Sequence, residues 1–269
     1  MKLSISNLAF PDVDIFELAP RLVETGITGI EIAPTSLWPN APELRAEARD
    51  FASRVSDFGL EVSGIQSLLY GHPEYQLFDR ASWPNLRLHL RAMLSVAKDL
   101  GTSIAVFGSP KNRVRGDMDL SDAHAVAAEF LHSITPDLED TQVILTLEPN
   151  APDYGADYLV HYQDVIDLVA IVNSSYVQPQ IDTGCLIMVG DNPAQGVLDH
   201  LPAHVHVSAP GLAPPPAGIE HSEVATALRN SKYAGWVTLE MLQHGNNPVV
   251  TAIDCCRWMA GTYGSSYVE

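Results

Sequence analysis

Residues 204–210 read HVHVSAP. In an extended chain alternate side chains share a face, so His204, His206 and Ser208 point one way while Val205 and Val207 point the other. A strand of a parallel barrel has this character: its outer face packs beneath helices and its inner face is free for chemistry. The histidine pair then looks into the barrel, where it either binds a metal or fills a core.

The rest of the chain repeats this unit. Runs of strand composition cover residues 2–10, 29–34, 61–69, 103–110, 142–149, 177–184, 204–209 and 235–241. Their spacing of about 30 residues is that of a βα unit. Stretches of helical composition fill the intervals, among them APELRAEARDFASRVSDFG (41–59), PNLRLHLRAMLSVAKDLG (84–101) and NPVVTAIDCCRWMAGTY (247–263). Gly59 and Gly101 stand where helices would stop. Eight strands alternating with helices, with no linker, predict an α/β chain folded as a single (β/α)8 barrel across residues 1–269. The proline-rich APGLAPPPAG (209–218) falls between the seventh strand and its helix, and reads as an active-site loop.

Composition narrows the partners. Fifteen Lys and Arg against 33 Asp and Glu give a net charge of −18, which repels nucleic acid; the one compact basic cluster is PKNRVR, 110–115. No apolar run is long enough for a bilayer, and the N-terminus lacks the pattern of a signal peptide. Cys185 stands apart from the adjacent Cys255 and Cys256, so neither a disulfide framework nor a C-x-x-C site is expected. These features point to a cytoplasmic protein with a small-molecule partner, and leave a homo-oligomer open.

The same alternation applied to the last four strands sorts their faces. Thr146, Glu148 and Asn150 face inward on the fifth, Gln178, Gln180 and Asp182 on the sixth, and Trp236, Thr238 and Glu240 on the eighth. Four consecutive strands therefore bring Glu148, Asp182, His206 and Glu240 inward near their C-terminal ends, where barrel active sites lie. Three converging carboxylates cannot all ionise without a cation to offset their repulsion. Ion pairing to Lys or Arg would be the bland alternative, but these four strands contain neither. A mostly oxygen ligand set with one imidazole suits Mn2+, Mg2+ or Co2+ better than a closed zinc site, and Mn2+ is the first expectation, with Zn2+ also admitted.

The order Glu, Asp, His, Glu, carried by LEPN (147–150), DTG (182–184), HVHVS (204–208) and WVTLEM (236–241), resembles the xylose isomerase-like TIM barrel superfamily. Within it the chain is similar to the sugar phosphate isomerase/epimerase group, which includes ketose 3-epimerases, hydroxypyruvate isomerase and inosose dehydratase. The resemblance runs nearly end to end, with VFGSPKNR (106–113) and YGADY (154–158) marking one branch. It implies that Glu148, Asp182, His206 and Glu240 are the metal ligands, and that His204 lies one layer deeper. It also shows a departure: many members carry a histidine where this chain has Cys185.

The chemistry that the resemblance implies is deprotonation beside a carbonyl to an enediolate, then return of the proton to a different face or carbon, with Glu148 and Glu240 as acid/base groups as well as ligands. Expected substrate contacts are Gln66, Lys111, Arg113, Asn150 and Tyr154, the basic pair as an anchor for phosphate or carboxylate. Glu31, inward on the second strand, is the extra carboxylate; His72, His221 and Trp38 are wall candidates. The expectation is a divalent-metal-dependent isomerase or epimerase of a sugar, sugar phosphate or polyol derivative. A lyase that expels water from the same enediolate is the alternative, and a non-catalytic barrel the third reading.

Overall fold

All eight strands form, and their parallel pairing runs in sequence order until β8 returns to β1 and closes the barrel. The computed structural model describes residues 1–38 and 45–264. Residues 41–44 of the helix expected at 41–59 lie outside the described part, as do residues 265–269 of the expected domain. The strands are β1 (Lys2–Ser6), β2 (Gly29–Ile32), β3 (Glu61–Ile65), β4 (Ile104–Phe107), β5 (Ile144–Leu147), β6 (Val177–Asp182), β7 (His204–Val207) and β8 (Trp236–Leu239). Around them lie α1 (Ile15–Val23), α2 (Pro34–Leu37), α3 (Arg45–Asp57), α4 (Trp83–Asp99), α5 (Leu120–Thr141), α6 (Tyr162–Val172), α7 (Thr183–Met188), α8 (Pro193–Asp199), α9 (His221–Asn230) and α10 (Pro248–Tyr263).

Several strands are shorter than the sequence suggests, and each has a local cause. After β1 the Ser6 hydroxyl accepts from Leu8 N at 3.2 Å and starts a 3-10 turn. Ser67 and Ser109, with φ of 56° and 47°, turn the chain away from the sheet after β3 and β4. After β6 the Asp182 carboxylate caps α7 by accepting from Cys185 N at 2.6 Å, so residues 183 and 184 are helical rather than extended. Gly59 and Gly101 do end α3 and α4, at φ of 81° and 76° that side chains resist.

The outward faces make the core. Leu145, Val177, Ile181, Val205, Val237 and Leu239 are all buried between sheet and helices, each worth about 2 kcal/mol in apolar surface removed from water. Register fixes what faces inward: Asp182 pairs with His206, His206 with Thr238, Thr238 with Ser4, and Ser6 with Glu31. The polar residues thus form contiguous layers inside the barrel. Among the described residues, no helix is long and apolar enough to cross a membrane.

Candidate active site at the C-terminal end of the barrel

Glu148, Asp182, His206 and Glu240 do converge. One donor atom from each lies within 4.8 Å of the others, and all four residues are buried. His206 Nδ1 sits 2.9 Å from Glu148 Oε1, 3.1 Å from Glu240 Oε2 and 4.0 Å from Asp182 Oδ2. Its other nitrogen, Nε2, donates to Glu31 Oε1 at 2.8 Å.

The carboxylates are held in different ways. Glu148 Oε1 accepts from Gln180 Nε2 at 2.8 Å and Oε2 from Asn150 Nδ2 at 2.9 Å. Gln180 is itself fixed by the Thr146 hydroxyl at 2.6 Å. Asp182 Oδ1 accepts from Ser208 Oγ at 2.7 Å and from Cys185 N at 2.6 Å, which leaves Oδ2 buried without a partner among the described residues. Space matters as well: Gly108 lies against Glu148, and a Cβ there would collide with Glu148 Oε2.

The electrostatics follow from this crowding. Burial, reinforced by the charges of Glu148 and Glu240, pushes the Asp182 carboxyl up to about 7. Burial would also raise Glu148, but the bond and charge of His206, then Asn150 and Arg113, hold it below the usual carboxylate range. Burial opposes charge on His206, yet Glu240 and Glu31 raise it well above the usual histidine value. Three carboxylates around one imidazole nitrogen, with Asp182 Oδ2 buried and without a hydrogen-bond partner among the described residues, fit a divalent cation in donor type and number.

A cavity of about 210 Å³ opens above this cluster, lined by Gln66, Glu148, Asn150, Tyr154, Asp182 and Glu240 among others. Gln66 is oriented by its bond to Ser6 Oγ at 2.5 Å. The Tyr154 hydroxyl accepts from Gly211 N at 2.9 Å and so ties the loop after β5 to the proline-rich loop after β7. Cys185 and Leu212 complete that side.

The structure separates the basic pair that the sequence set in one loop. Lys111 is exposed and lines a neighbouring groove with Tyr70 and His72. Arg113 is wholly buried beneath Glu148, donating from Nη2 to the Glu148 carbonyl at 2.5 Å and to Asn150 Oδ1 at 2.6 Å. Burial pushes its guanidinium down to about 10 against the pull of Glu148. Its charge therefore faces the carboxylates from behind instead of facing the cavity. Trp38 packs edge-on against Phe51, and His221 bonds the Tyr263 hydroxyl at 2.8 Å, so both serve packing away from the cavity.

Sequence reasoning put Gln180 and Ser208 on the inner face but gave them no task. Their faces follow from alternation, whereas their contacts with Glu148 and Asp182 depend on register between neighbouring strands. Glu31 was singled out as a carboxylate; its contact with both histidines across the barrel has no signal in the sequence.

Fold and site together describe a (β/α)8 barrel with an acidic, one-histidine pocket at the C-terminal ends of its strands. The chain belongs to the xylose isomerase-like TIM barrel family, whose sequence profile matches residues 20–260. No curated protein sequence matches it. Among solved structures it is similar to a D-psicose 3-epimerase crystallised in the presence of D-fructose (17% identity, TM-score 0.80, covering 98% of this chain and 100% of that one). It is also similar to the apo form of 3-keto-D-glucoside 4-epimerase from E. coli (19%, 0.79, 97% and 99%). A third is the IolI protein with a bound zinc atom (14%, 0.75, 100% of each). At such identities the likeness is one of fold.

Proposed function

We propose that the protein is a divalent-metal-dependent isomerase or epimerase that acts on a sugar, sugar phosphate or polyol derivative through an enediolate. The observation that carries this reading is the placement of two glutamates, Glu148 and Glu240, at 2.9 and 3.1 Å from one imidazole nitrogen, both lining the same cavity. Two of the similar structures are sugar epimerases and a third holds zinc, which supports the class of reaction and the presence of a metal.

Glu148, Asp182, His206 and Glu240 would hold the cation, with Mn2+ the first choice for an oxygen-rich set. When bound, it supplies positive charge that offsets the carboxylates and stabilises negative charge developing on a substrate oxygen. Glu240 takes the proton from the carbon beside the substrate carbonyl, and Glu148, at the other end of the arc and ionised at rest, takes a proton from solvent and returns it to the opposite face, after which Glu240 gives its own proton to solvent. Gln66, Asn150 and Tyr154 offer an amide oxygen, amide hydrogens and a hydroxyl to the sugar hydroxyls. Lys111, at the edge of the adjoining groove, is placed to meet an anionic group on a longer substrate. Arg113 serves the same site from behind through Asn150.

Incubation with a panel of ketoses and keto-polyols in D2O tests this. Deuterium should enter a carbon-bound position beside the carbonyl, with an isomer formed and no water lost. Loss of water from the substrate would make the enzyme a lyase. No exchange with any substrate, together with no uptake of Mn2+ or Co2+, would leave a non-catalytic barrel.

A further inference from the structure

Below the four candidate ligands lies a second buried polar cluster that shares only His206 with them. Glu31, His204 and His206 are each fully buried. Glu31 Oε2 meets His204 Nε2 at 2.6 Å, and Glu31 Oε1 meets His206 Nε2 at 2.8 Å. The barrel makes room for this carboxylate: the pairing of β2 with β3 shifts register between Ile30 and Glu31, and Glu31 then pairs with Gly64, where a Cβ would stand 3.0 Å from Oε2.

A carboxylate only accepts hydrogen bonds, so both imidazoles facing Glu31 must carry their proton on Nε2. For His206 that leaves Nδ1 directed at Glu148, Glu240 and Asp182. Separations of 2.6 and 2.8 Å are hydrogen-bond lengths, and each Glu31 oxygen meets a different imidazole.

We propose that Glu31 is a positioning residue: one carboxylate fixes the ring orientation and the proton position of both histidines, and thereby presents the Nδ1 lone pair of His206 to the metal. This rests on the metal-site reading given under Proposed function. A partner of this kind orients a ligating histidine, and its loss weakens metal binding by roughly 10–100-fold.

Glu31→Gln tests the idea with little change in volume. An amide offers only one acceptor oxygen, so one imidazole must move its proton to Nδ1. The Kd for Mn2+, measured by chelator competition on folded protein, should rise about 10–100-fold. Ser4→Ala, which removes a hydroxyl contact to Thr238 in the same core layer, should lower the melting temperature and leave that Kd unchanged. In 15N-histidine NMR of the zinc-loaded wild type, His206 should carry its proton on Nε2 and bind through Nδ1. An unchanged Kd in folded Glu31→Gln whose His206 has moved its proton to Nδ1, a wild-type His206 Nε2 without its proton, or uptake of two metal ions per chain with Glu31 as a ligand would each overturn the proposal. Should Glu31→Gln fail to fold, the wild-type spectrum decides. Should the wild type take up no metal, the proposed function fails, while the Nε2 protons of the metal-free protein still show whether Glu31 holds both rings.

Discussion

Glu148 and Glu240 are the same residue type at the ends of two strands of one barrel, yet their surroundings differ. Glu148 has an amide donor on each oxygen, and those amides are anchored in turn by Thr146 and Arg113. Glu240 lies 3.1 Å from His206 Nδ1, and among the described residues no amide or hydroxyl donates to its carboxylate. A carboxylate gripped by several donors is held in one orientation. One without such donors is free to turn toward a substrate carbon. On the proposed reading, Glu148 is the fixed end of the arc and Glu240 the end free to move.

Replacing Glu240 by Gln gives the largest expected effect, because it keeps the size and one oxygen while removing the base. Turnover should fall by roughly 10²–10⁴-fold while Mn2+ affinity changes much less, as read by kcat at saturating metal beside a binding titration. Activity restored to near wild type by excess Mn2+ would erase the contrast, leave Glu148 as the sole catalytic carboxylate, and favour a one-base isomerase or lyase.

The grip on Glu148 is tested by Gln180→Ala and Asn150→Ala. Each should weaken Mn2+ binding by about 10–100-fold, measured by chelator competition. Variants that bind as tightly as wild type would mean that the amides do not distinguish the two ends.

Asp182, between the two glutamates, reports on their repulsion. Its carboxyl is pushed up to about 7, first by burial and then by Glu148 and Glu240, against roughly 3.9 in an unfolded chain. Between those values the folded protein keeps a proton that the unfolded chain has lost, so metal-free stability falls as pH rises. His206, raised above its unfolded value by Glu240 and Glu31 against the effect of burial, adds a term of the same sign: stability present at low pH and lost as pH rises through its folded value. The metal-free melting temperature should drop by on the order of 5 °C from pH 5 to pH 8. Mn2+ should reverse the trend, since its uptake displaces these protons. Thermal melts at both pH values with and without Mn2+ decide it, and a metal-free melting temperature that climbs over this range would contradict the crowding.

The smallest effect belongs to Lys111, exposed at the edge of the adjoining groove. Lys111→Ala should raise KM by about two- to fivefold for a phosphorylated or carboxylated substrate and leave a neutral sugar unaffected. Equal response to both would make this lysine ordinary surface charge.

How far the sequence carries the reader depends on the kind of contact. Alternation along one strand put Glu148, Asp182, His206 and Glu240 on the inner face, and barrel topology put that face's C-terminal end at the site; both are local rules that the closed barrel obeys. Contacts between adjacent strands, such as Gln180 with Glu148 or Ser208 with Asp182, need a register that no single strand encodes. Contacts across the barrel lie further still: Glu31 and His204 are 173 residues apart in the chain. Arg113 shows another limit, because its sequence neighbours Lys111 and Arg115 suggest a solvated basic loop while its own side chain turns into the core. The short helix α7 escaped notice because its start signal, Asp182, also reads as the end of a strand.

Gly108 has a consequence for anyone moving this site elsewhere. Among the described residues no side chain hydrogen-bonds its backbone and its φ is not positive, yet any larger residue would occupy the volume taken by Glu148 Oε2. A transplant of the acidic residues and the histidine into another barrel, copied by chemistry alone, would omit it. The portable unit is therefore the four ligands together with an empty place on the neighbouring strand's exit, a requirement that limits which host scaffolds can accept the site and which drifts of sequence this chain can survive.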